Sequence, residues 1–222
     1  MKNKTKLPAA ERAVLIVNPI PYVRIPSEDG EYNVALKLIP LMTQEQASRY
    51  SQDGFSAVSM PTYFKVFSAL YELRNTDDAE TARQFIENAF RKESPLTLTR
   101  ILYTPKGKDK IIHDYNTDLQ RVKRANLTGK NGLIKDFLPL EASLALTGKE
   151  PKEVEELMQY LNGTSVYVWR LISKQNITDE RDARFFADSD LAGLDCSKCP
   201  SYKGSWLGVR FIAREKNFMG KQ

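Results

Sequence analysis

The chain has 222 residues, a net charge of +5 and 41% apolar residues. That is enough apolar content for a packed core, and no apolar run approaches the ~20 residues of a membrane-spanning helix. Two cysteines cannot make the disulfide framework of a small secreted domain, and one histidine excludes His-rich metal sites and catalysis that needs two imidazoles.

Lys2, Lys4 and Lys6 supply three of the net charges, so the basic balance does not force a nucleic-acid role. Ala13 to Val17, interrupted by Asn18 and Pro19, reads as a strand and not as a secretion signal. With no signal peptide and so few cysteines, the default compartment is a reducing cytoplasm. The stretch PYVRIPSEDGEY is turn-rich. Thr43 and Gln46 form the capping box of a short helix. Ser59 is placed to cap the next helix, Pro61 suits its first turn, and Phe64, Phe67, Leu70, Tyr71 and Leu73 form its apolar stripe. A further helix starts at Thr76 or Asp77, ends at Arg91 and Lys92, and buries Ala82, Phe85, Ile86, Ala89 and Phe90.

Leu96 to Thr104 and Lys110 to Tyr115 read as a hairpin turning at Pro105-Lys106-Gly107. Residues 116–133 are polar, with two glycines, and read as a loop. DFLPLEASLALTG predicts a helix stopped by Gly148, and EPKEVEELMQYLNG one stopped by Gly163. TSVYVWRLIS and GVRFIARE read as strands. Helices and strands are segregated, which predicts an α+β fold in one domain spanning 1–222.

No phosphate-binding loop, dinucleotide fingerprint or nucleophile-base motif occurs. His113, on an apolar strand, reads as structural. Cys196 and Cys199 form a lone CxxC without the second pair that a zinc ribbon needs, so no cofactor or metal is expected, and the reading is one buried cysteine and one incidental. Asn126, Asn162 and Asn176 stand in glycosylation tripeptides too common to place the chain outside the cell. The segment 100–135 carries nine cations against three acids, with Tyr103 and Tyr115 among them, which suits phosphate contact or a solvated hairpin.

The stretch FFADSDLAGLDCSKCPSYKGSWLGVRF has no amphipathic rhythm. Together with Trp169-Arg170-Leu171 it resembles the C-terminal variable repeat of a variable protein from a diversity-generating retroelement, of the archaeal and archaeal-virus branch. The frame is carried by Phe185, Ala187, Ser189-Asp190, Leu194-Asp195-Cys196, Pro200 and Leu207-Gly208-Val209-Arg210. The upstream MPTYFKVFSALYEL is similar to a helix start in C-type lectin-like domains related to formylglycine-generating enzymes.

The resemblance implies a C-type lectin-like fold of that subtype, with insertions. Its first and last strands would pair, and two central helices would pack on the sheet. Residues 181–214 would form an exposed repeat that binds varied protein or cell-surface ligands, with no catalytic role. The candidate contact residues are Arg184, Phe186, Asp188, Leu191, Ala192, Gly193, Ser197, Lys198, Cys199, Ser201, Tyr202, Ser205 and Trp206, with Lys203 and Gly204 among the interleaved positions. Adenine-directed mutation of an AAY codon does not reach the residues at 198, 203 and 206. Two rival readings are a nucleic-acid-binding protein using 100–135 and a thiol enzyme of the formylglycine-generating type using Cys196 and Cys199.

Overall fold

The computed structural model describes residues 20–113, 121–129, 132 and 133, 138–174 and 176–213. The strand expected at Ala13 to Val17 lies outside them. The fold is α+β, built on a sheet of ten strands: β1 (Tyr22–Ser27), β2 (Gly30–Met42), β3 (Leu96–Tyr103), β4 (Asp109–His113), β5 (Arg121–Ala125), β6 (Gly132–Leu133), β7 (Val166–Trp169), β8 (Asp179–Ala187), β9 (Ala192–Lys198) and β10 (Gly204–Ala213). The helices are α1 (Gln44–Ser48), α2 (Met60–Glu72), α3 (Asp77–Lys92), α4 (Leu140–Thr147) and α5 (Pro151–Asn162).

The sheet order is β1-β2-β10-β3-β8-β9-β7-β6, and the β4–β5 arm is hydrogen-bonded to β3. β10 runs antiparallel to β2 along most of its length and touches β3 in parallel at Trp206 and Leu96. β7 runs parallel to β9; β8 and β9 form an antiparallel hairpin.

The helix signals fold as read. Gln46 N–H donates to Thr43 Oγ1 at 3.3 Å, and Thr43 N–H to Gln46 Oε1 at 3.0 Å. Thr76 Oγ1 accepts from Ala79 N–H. Gly148 and Gly163 end α4 and α5 in the left-handed region, at φ 75° and 71°, where a Cβ would be strained. Ser59 differs from expectation. Its hydroxyl pairs with that of Thr62, and the first amide of α2, Met60 N–H, is satisfied by Thr99 Oγ1 of β3. A tertiary contact has replaced a local cap.

Three stretches differ from the sequence reading. Residues 22–42 form a long hairpin, whereas the sequence reads as turns over 21–32 and signals no strand over 33–42, because Tyr32 to Ala35 are buried on both faces and show no alternation. The polar segment after β4 contains strand β5; its Val122, Lys123 and Arg124 are exposed, so no apolar period marks it. The irregular-looking segment before the last strand is the β8–β9 hairpin.

The main core lies between the sheet and α2, α3, α4 and α5. Leu207 and Val209 of β10 enter it, whereas Trp206 turns to the opposite face, as strand alternation requires. On that outer face Trp206 packs with Ile39, Ala47, Ala57, Leu96 and Leu98 under α1 and residues 50–58. Gln44 of α1 donates to the carbonyls of Thr97 and Thr99 at 2.7 and 2.9 Å, in the stretch of β3 where the ladder to β8 is interrupted. His113 is structural, held by Thr99 Oγ1 and donating to Ala145 O, each at 2.9 Å. No helix among the described residues is long and apolar enough to cross a membrane.

Candidate recognition face

α1 and residues 50–58 cover the outer face over β2, β10 and β3. The outer sides of β8, β9 and β7 lie beside this cover. Alternation along β8 sends Ala183, Phe185 and Ala187 into the main core and Asp182, Arg184 and Phe186 outward. Opposite them, β9 carries one extra residue, because Asp182 pairs with Lys198 and Arg184 with Asp195. This bulge brings Asp195 and Lys198 to one face despite their odd spacing, while Leu194 and Cys196 stay in the core.

The outer face is a charged strip with an aromatic border. Arg184 Nε donates to Asp195 Oδ2 at 3.0 Å, and Lys198 Nζ lies 3.6 Å from the same oxygen. Asp195 Oδ1 accepts from Ser197 N–H and Oγ–H at 3.0 and 2.7 Å. The Tyr202 ring, 40% exposed, lies 5.5 Å from the Arg184 guanidinium and 5.9 Å from Lys198 Nζ. Such cation–ring contacts are each worth about 0.5–1 kcal/mol at exposed sites and hold the ring in place. At the far edge Trp169, 41% exposed, meets Phe186 edge-on at 6.3 Å. On the β3 side Arg100 pairs with Glu180 at 2.9 Å.

The sequence-level site divides in two. Arg184, Phe186, Ser197, Lys198 and Tyr202 cluster here, with Cys199 and Ser201 beside them at the end of β9. Asp188 and Leu191 stand at the hairpin tip, where Asp188 Oδ1 accepts from the amides of Asp190 and Leu191, each at 3.0 Å. Lys203 is exposed as well.

Ala192, Gly193, Ser205 and Trp206 do not reach the surface. Ala192 is in the main core and Trp206 in the core under α1, its Nε1–H donating to Met42 O at 3.3 Å. A Cβ on Gly193 would lie 1.9 Å from the Tyr167 carbonyl oxygen, so β7 could not pair with β9 there. Gly204 is confined less severely, by a side chain and not by backbone, with Leu96 Cδ1 2.8 Å from a would-be Cβ. Asp182, Asp195, Trp169 and Arg100 belong to the face although the sequence did not offer them as contacts. Period-2 counting from Arg184 would have found Asp182, but the bulge hides Asp195.

The CxxC pair forms no shared site. Cys196 is buried in the main core, where desolvation pushes its thiol up. Cys199 is exposed, and hydrogen bonding to Ser201 holds its thiol below the usual range. Among the described residues no group of three or more His, Cys, Asp or Glu is arranged to hold a metal. In the basic segment, Lys108 pairs with Glu141 and Arg100 faces the strip above, while residues 114–120 lie outside the described part. Compared with protein-family models, with curated proteins and with solved structures, the chain matches none of them.

Proposed function

We propose that this is a non-enzymatic recognition protein of C-type lectin-like fold, close to the formylglycine-generating-enzyme subtype. It binds a protein or cell-surface ligand through the outer side of β8 and β9, and 181–214 is the variable repeat of a diversity-generating retroelement. The observation that carries this reading is the division of the repeat by strand alternation. Phe185, Ala187, Leu194, Cys196, Leu207 and Val209, which match the family frame, turn into the core. Of the interleaved positions, Arg184, Phe186, Ser197, Lys198, Cys199, Ser201 and Tyr202 do not enter it, whereas Ala192 does and Gly193, Gly204, Ser205 and Trp206 are buried.

Other features are in keeping with it. The last described strand, β10, pairs with β2, the second described strand and not the first, and α2 and α3 pack on the sheet. Trp206, outside the reach of an AAY codon, is a core residue. A stiff strand pair loses little entropy on binding, and tyrosine and tryptophan offer large contact area with few rotors. The buried Cys196 gives the thiol-enzyme reading no reactive partner for Cys199.

The test is the neighbouring DNA. The expected finding is a near-copy of the coding segment for the repeat, beside a reverse transcriptase gene. It should differ at template adenines, with the differences at exposed positions and not at Gly193 or Trp206. No near-copy, or differences concentrated at Phe185, Leu194 and Cys196, would sink the reading.

A further inference from the structure

This inference rests on the recognition-face reading and gives that face a ligand chemistry and a control. Asp182 sits on the outer face fully buried, 0% exposed, and neither carboxylate oxygen accepts a hydrogen bond. Arg100 of β3 and Lys198 of β9 pair with it across the sheet, and Glu180 and Arg184 flank it along β8. Cys199, at the end of β9, feels its charge. The cations are engaged with other carboxylates: Arg100 with Glu180, and both Arg184 and Lys198 with Asp195.

A carboxylate buried without donors favours its neutral form. Burial pushes the Asp182 pKa up to about 7, with Glu180 adding to the rise and Arg100 opposing it. With the proton on, three cations on this strip face two charged carboxylates. The surplus charge lies at the surface, where Arg184 and Lys198 share Asp195 beside Tyr202. With the proton off, the strip is neutral, and the Asp182 charge stands beside Arg100 and opposite Lys198 in the strand register.

We propose that the Arg184–Lys198–Tyr202 patch takes an acidic side-chain cluster of a protein partner, and that the proton on Asp182 sets how tightly it is held. The bordering Phe186 and Trp169 rings suit a protein surface better than a free anion, since aromatic anchors beside a cation are the usual centre of a protein interface. Charge complementarity selects acidic partners over basic ones.

The test uses the full chain with Cys199→Ser, so that the exposed thiol does not titrate, and a capped, fluorescently labelled hexaglutamate peptide. Binding is measured at pH 6 and pH 8 at constant ionic strength. The peptide should bind several-fold tighter at pH 6. Asp182→Asn should bind at the pH 6 level at both values, and Lys198→Ala with Tyr202→Ala should abolish binding at both. Carbon NMR of the Asp182 carboxyl group reads its titration directly, without a variant at that position, and should place it near neutrality.

Equal affinity at the two pH values, a pH effect that survives Asp182→Asn, or titration with the ordinary carboxylates would overturn the proton control. No peptide binding, or binding that ignores the Lys198 and Tyr202 changes and is lost in Lys106→Ala with Lys108→Ala and Lys110→Ala, would overturn the acidic partner as well. The recognition-face reading fails separately, in the comparison of coding segments.

Discussion

Phe185 stacks on Phe90 with ring centres 4.7 Å apart and meets Phe67 and Tyr63 edge-on, whereas its neighbour Phe186 turns out to Trp169. Phe185→Ala should cost about 3–5 kcal/mol, because it leaves a cavity where β8 meets α2 and α3. Phe186→Ala should cost under about 1 kcal/mol, and urea unfolding of the two variants measures the contrast. Asp182 has a signature in stability too. Its folded-state pKa of about 7 lies above the ordinary 3.8, so the folded state holds the proton more tightly than the unfolded state. Its contribution is therefore most favourable below about pH 4, falls as pH rises through the interval to about 7, and is flat above. Asp182→Asn removes that slope and should gain on the native protein between pH 4 and pH 8, by at most about 4 kcal/mol. A constant difference across that interval in thermal or urea unfolding would show that Asp182 carries no such shift.

The β4–β5 arm depends on one buried carboxylate. Asp109 accepts from Thr104 N–H at 3.1 Å and from Leu127 N–H at 2.9 Å, and pairs with Lys174 at 3.1 Å. It ties the hairpin turn, the exit of β5 and the segment after β7 together. Asp109→Ala leaves those donors without their partner and should cost about 3–5 kcal/mol, with faster hydrogen exchange at Thr104 and Leu127 before the rest of the sheet. At this scale the sequence was read unevenly. The α2, α3, α4 and α5 spans and the β3–β4 turn were legible because caps, end glycines and apolar stripes are local signals. β2 and β9 were not, because strands buried on both faces lose alternation; β8 alternates, but the aromatic Phe186 on its outer side hides the period in the sequence. β5 was missed for the opposite reason, with Val122, Lys123 and Arg124 all exposed.

Across the whole molecule, the sheet separates a helix-covered face from an outer face that α1 covers only in part. That division turns a run of mixed residues into frame and surface. By itself the sequence determined the α+β class, the helices with their stops and the caps at Thr43 and Thr76, the buried histidine and the split between a core cysteine and an exposed one. Each follows from spacing, composition or residue chemistry within a short window. Only the tertiary structure decided that Trp206 and Gly193 are packing residues, that Asp195 and Lys198 share a face across a bulge, and that Asp182 is buried among engaged cations. These depend on strands distant in sequence meeting in one register: β10 lies between β2 and β3, and β7 pairs with β9. Local periodicity marks which residues alternate, but which neighbour each will meet is set only when the strands pair.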